Sequence, residues 1–213
     1  MSGILNVVQN RFRDPLTTKT LSIANDFTQL KKIQASDAEA DDRFGQSVAV
    51  SDTRIVVGAY LEDTTASEAG SVYIFDINGN QLAKIQASDA EAGDQFGSSV
   101  AVSDTRIVVG AVYGGDTATN QYYNAGVAYI FDINGNQLAK KQASDAQASD
   151  EFGWSVAVSD TRIVVGAYGE DTTASNAGSA YIFQNDLVYK SDYNNNINNI
   201  NFNKLKYRFT GKL

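Results

Sequence analysis

The sequence contains no cysteine, no histidine, one proline and a single methionine, Met1. Without cysteine there are no disulfides, thiolate metal sites or cysteine nucleophiles. Without histidine the one side chain that ordinarily titrates near neutral pH is missing as well. Most common catalytic kits are thereby removed. Apolar runs such as Ile55–Val57 are far too short to span a bilayer. The N-terminus shows no basic stretch followed by an apolar one, so no signal peptide and no membrane insertion are expected. The lack of cysteine does not by itself separate a cytosolic chain from one carried on a particle released by lysis.

What is present is enough for a packed core: 213 residues, of which 43% are apolar. The net charge of −8 is unevenly placed. Residues 1–32 carry five basic and two acidic side chains, residues 33–193 eight against 23, and residues 194–213 four against none. An acidic body lacks the basic stripe that neutralises phosphates, which argues against nucleic-acid binding. Basic ends on such a body suit contact with acidic surfaces, including those of neighbouring copies.

The dominant feature is an internal repeat. Phe44-Gly45-Gln46-Ser47-Val48-Ala49-Val50-Ser51-Asp52-Thr53-Arg54-Ile55-Val56-Val57-Gly58-Ala59 recurs almost unchanged from Phe96 and again from Phe152. Lys32–Ala38 returns from Lys84, and Gly70–Phe75 returns from Gly126 and Gly178. Each unit reads as four short strands. The first, Gly45–Ser51, alternates valines with small or polar residues, and the second, Arg54–Ala59, is a nearly continuous Ile-Val-Val run suited to burial on both faces. The third is Ser71–Asp76. The fourth, Gln81–Ala87, follows Asn78-Gly79, which predicts a type I′ hairpin turn. Arg54, Arg106 and Arg162, at the head of each second strand, are expected to pair with neighbouring carboxylates.

The string Lys84-Ile85-Gln86-Ala87-Ser88-Asp89-Ala90-Glu91-Ala92-Gly93-Asp94-Gln95-Phe96-Gly97, followed by Ile107-Val108-Val109-Gly110-Ala111 and Gly126-Val127-Ala128-Tyr129-Ile130-Phe131, resembles the FG-GAP repeat of bacterial multi-repeat surface proteins. It is similar to the blades of integrin α-chain propellers. The resemblance implies an all-β fold of three tandem four-stranded antiparallel blades of β-propeller type, completed by oligomerisation because closed propellers have four or more blades. Two departures stand out. The proline that closes the family's Gly-Ala-Pro motif is replaced by Tyr60, Val112 and Tyr168. The Asp-rich calcium loop between the first two strands of calcium-binding members is reduced to Ser51-Asp52-Thr53. Residues 1–27 then form an N-terminal anchor or arm, 28–193 the three repeats (about 33–84, 85–140 and 141–193), and 194–213 an Asn-rich and then basic tail.

An up-and-down meander sorts its connections. Tight turns fall on one side, and the long loops between strands two and three and between blades fall on the other, making that side the working face. Its acids include Asp37, Glu39 and Asp41, with Asp89, Glu91 and Asp94 in the second unit. Two readings fit them: a solvated rim, or oxygen ligands for Ca²⁺. Threefold repetition of the same acids argues against a unique catalytic carboxylate. Features that break the repeat point elsewhere. Tyr113, Tyr122 and Tyr123 lie in the enlarged loop of unit two, and Trp154 stands where the other units have Gln46 and Ser98; aromatics at variable positions are common interface anchors.

The ends carry the expectations about assembly. Thr28–Ile33 matches a fourth strand with no blade before it, and Asp186–Lys190 supplies the fourth strand of unit three. Phe202, Tyr207 and Phe209 sit in an alternating apolar and basic tail suited to adding to a sheet edge. The sequence therefore points to a non-enzymatic binding and assembly module, a structural or adhesion component of a virion appendage or a cell surface. Its expected partners are further copies of itself, other structural or surface proteins, and glycans. No cofactor is required by the sequence. The alternative is a Ca²⁺-dependent carbohydrate- or protein-binding propeller.

Overall fold

The structure is a computed structural model that describes residues 27–115 and 124–185. The chain divides into two units, residues 1–34 and 35–213. In the first, the described residues 27–34 adopt no regular secondary structure, which corrects the outer strand expected over Thr28–Ile33. A fourth strand is held only by the third strand of its own blade, and the described residues hold no such strand ahead of β1.

The second unit is built from eleven described strands: β1 (Ser47–Val50), β2 (Arg54–Ala59), β3 (Ser71–Asp76), β4 (Gln81–Ile85), β5 (Phe96–Val102), β6 (Arg106–Ala111), β7 (Val127–Asp132), β8 (Gln137–Lys141), β9 (Phe152–Val158), β10 (Arg162–Ala167) and β11 (Ser179–Gln184). No helix occurs among the described residues, so none is long and apolar enough to cross a membrane. The sheets are antiparallel meanders in the orders β1-β2-β3-β4, β5-β6-β7-β8 and β9-β10-β11. The fourth strand expected over Asp186–Lys190 lies outside the described residues.

Two local expectations are corrected. In the hairpins after β3 and β7 only the glycines, Gly79 and Gly135, have positive φ (74° and 91°), whereas a type I′ turn needs two such residues. The reason lies in the preceding aspartate. Asp76 Oδ1 accepts from the Asn78 and Asn80 amides at 2.9 and 2.8 Å, and the Gly79 amide reaches the Asp76 carbonyl at 2.9 Å. The side chain thus stabilises a longer turn in which glycine takes the bulge, and the β3–β4 register shifts between Ile74 and Phe75. The repeat's arginines differ as well: Arg54, Arg106 and Arg162 each donate from Nη1 to the carbonyl of the preceding threonine, at 2.9, 2.8 and 2.6 Å, in place of a carboxylate.

Blades stack face to face with their first strands side by side. One core joins Val56, Val72 and Ile74 of blade one to Val100, Val109 and Phe131 of blade two. A second joins Val108, Ala128 and Ile130 of blade two to Ile163 and Val165 of blade three. Within each blade the Phe of the Phe-Gly pair meets a tyrosine edge-on, with centroids 5.5, 5.4 and 5.4 Å apart for Phe44–Tyr73, Phe96–Tyr129 and Phe152–Tyr181. Such pairs add about 0.5–1.5 kcal/mol beyond burial.

Candidate functional site

On the long-loop side, where the first strands begin and the second strands end, the three blades converge on a cleft of about 380 Å³ lined by Gln46, Tyr60, Gln95, Ser98, Val112, Tyr113 and Trp154. The volume falls within the range typical of small-ligand sites. Gln46, Ser98 and Trp154 occupy one repeat position in three blades, so the convergence follows from the meander itself. Trp154 is 51% exposed. Its ring lies 4.6 Å from that of Tyr168, tilted by 46°, so the pair offers an open aromatic surface rather than a core contact. Tyr113 is half-buried and its amide donates to the Asp94 carbonyl at 3.3 Å. Burial raises its phenol, helped by the charges of Glu151, Tyr168 and Tyr60. Burial likewise raises Glu151, whose Oε2 has no hydrogen-bond partner among the described residues.

A family model described as FG-GAP repeat matches residues 27–75, 80–131 and 136–183. The chain belongs to the FG-GAP repeat family. Among solved structures it is similar to the crystal structure of BamB from Moraxella catarrhalis, with 14% identity and a TM-score of 0.36 over 64% of this chain and 30% of that one. None of the curated proteins matches the sequence. The FG-GAP repeats make this a propeller-type binding or structural module.

Of the aromatic residues that break the FG-GAP repeat, the structure brings Tyr113 and Trp154 into one cleft. Tyr122, Tyr123, Phe202, Tyr207 and Phe209 lie outside the described residues. Sequence reasoning missed Tyr60, Tyr168, Gln95 and Val112 as site residues. A signal was available, since Tyr60, Val112 and Tyr168 are the residues standing in place of the FG-GAP proline.

The acids of the same face have other employment. Asp37 Oδ1 accepts from Tyr73 Oη at 2.9 Å and its Oδ2 from Lys84 Nζ at 2.7 Å. Asp89 repeats this with Tyr129 at 2.9 Å and Lys140 at 2.7 Å. The Lys84 hydrogen bond holds Asp37 below its ordinary pKa; burial opposes the Lys140 and Tyr129 bonds at Asp89, which is lowered too. Asp94 is buried, with Oδ2 on the Glu91 amide at 2.9 Å, and burial raises its pKa. Asp42 and Asp150 accept in the same way from the Glu39 and Gln147 amides, each at 2.7 Å. Glu39 and Glu91 are exposed, and Asp41 pairs with Arg43 at 3.5 Å. The solvated-rim reading therefore gives way for Asp42, Asp94 and Asp150, which pin the crossover loops from inside. For calcium, no group of three or more acidic side chains is placed to hold a metal ion among the described residues. The candidate ligands Asp37 and Asp89 are already engaged by tyrosine and lysine.

Proposed function

We propose that the chain is a non-enzymatic binding module whose ligand seat is the aromatic cleft on the long-loop face. The carrying observation is the convergence of Trp154, Tyr113 and Tyr60 with Gln46, Gln95 and Ser98. Flat aromatic faces supply contact area at small entropic cost, and the amides and hydroxyl supply orienting hydrogen bonds. That combination suits a sugar ring or a protruding side chain of another surface protein. The non-enzymatic part rests on the missing histidine and cysteine and on the structural hydrogen bonds that occupy Asp37, Asp89 and Asp94. The setting at a cell surface rests on the resemblance to multi-repeat surface proteins.

Display of the protein against glycan and cell-surface protein arrays tests the reading. Trp154→Ala should weaken whatever binding the native chain shows by tenfold or more, an effect of about 1.4 kcal/mol or greater. Equal binding by the variant would remove the cleft from the account.

A further inference from the structure

We propose that a second copy of this chain docks head to tail, the leading face of its blade one seated on the trailing face of blade three of the first, through the contacts that already join blades within a chain. Two internal joints define those contacts. Ser47 Oγ donates to the Gly97 carbonyl and Ser99 Oγ to the Gly153 carbonyl, both at 2.6 Å. A Cβ on Gly58 or Gly110 would collide with those same carbonyl oxygens, so each joint is a close backbone approach that only glycine permits. Alongside, the Phe96 amide donates to Ala69 and the Phe152 amide to Ala125, both at 2.8 Å.

Each half of this joint is present once more, with no further blade against it among the described residues. Blade three carries Ser155, Gly166 and Ala177 at the socket positions. Around Gly166 the nearest atoms belong only to Ser155 of the same blade, with no carbonyl from a following blade. Blade one carries the matching plug, Phe44-Gly45. Gly45 has φ +94°, beside +92° and +95° for Gly97 and Gly153, yet no atom of the described residues lies within 4 Å of where its Cβ would be. The apolar residues agree. Ile74 and Ile130 are 1% and 8% exposed on the trailing faces of blades one and two, whereas Ile182 in blade three is 71% exposed. On leading faces Val100 is 8% exposed, whereas Val48 and Val50 are 66% and 67% exposed.

The occupant follows from complementarity. The socket at Ser155 and Gly166 fits a Phe-Gly step with a left-handed glycine, and the free plug of that shape is Phe44-Gly45. Blade two separates Phe44-Gly45 from Gly166 within one chain, so this plug reaches this socket only from a second copy. The contact is heterologous, and two or more copies close into a ring when the rotation permits.

The test is the mass of the 213-residue chain in solution by size exclusion with light scattering. The native chain should be oligomeric. Ile182→Arg, Gly166→Ala and the double variant Val48→Glu/Val50→Glu should each run smaller with unchanged circular dichroism. An equimolar mixture of Ile182→Arg with Val48→Glu/Val50→Glu should give a one-to-one complex, because each retains one intact face. A monomeric native chain would overturn the proposal, and more so if deleting residues 186–213 made it associate, since its own tail would then be the cover. A native oligomer indifferent to all three variants would overturn it equally.

Discussion

Burial disfavours the charge on Glu62, but hydrogen bonds from Lys84 Nζ, Ser71 Oγ and Thr64 outweigh it and bring the carboxyl down to about 2. The distances are 2.8 Å from Lys84 and 2.6 Å from Ser71. Because the folded value lies below the ordinary 4.5, the unfolded chain binds more protons between those values, and the stabilisation is complete above about pH 4.5 and lost as pH falls toward 2. Asp37, Asp89 and Glu170 shift in the same direction. Glu62→Gln should therefore lower the melting temperature at pH 7, at a cost of about 1–3 kcal/mol. It should also flatten the melting profile between pH 4.5 and 2, which thermal denaturation across that range checks. The sequence concealed this role, since a lone glutamate in a polar loop reads as solvated. The repeat did hold a clue. Glu62 pairs with Ser71 and Glu170 with Ser179, while unit two has Gly114 and Val127 at the same positions, so donor and acceptor are exchanged together.

Strand boundaries were legible because alternation, β-branched runs and turn residues agree in all three units: the expected second and third strands, Arg54–Ala59 and Ser71–Asp76, are those observed. Hairpin type was less legible, because Asp76 competes with the Asn-Gly signal through its own side chain. The glycines of the second strands were legible as a motif but not as a joint, since the atom they admit, the carbonyl of Gly97 for Gly58 or of Gly153 for Gly110, lies 39 or 43 residues further along the chain. Gly110→Ala should part blade two from blade three and cost at least about 3 kcal/mol, because the obstruction is backbone and cannot rotate away. Leu138→Ala, on the exposed side of β8, should cost less than about 0.5 kcal/mol. Urea unfolding of the two variants side by side checks the contrast.

Over the whole molecule, the three stacked blades follow from the sequence period, since a unit that cannot bury its own sheet faces must stack on its neighbours. The cleft was only half legible. Trp154 and Tyr113 stood out as breaks in the repeat, but their meeting with Tyr60, Gln46 and Gln95 required the blades to be arranged around their first strands. The chain has one tryptophan, and it lies in this cleft. Its fluorescence is therefore a direct reporter of occupancy, free of background from any other site. Titrating the native chain with the ligand selected on the arrays should change the intensity or wavelength of Trp154 emission, saturating at the affinity measured by array or calorimetry. Calorimetric binding with unaltered Trp154 emission, and with full affinity retained in Trp154→Ala, would place the ligand elsewhere and contradict the account.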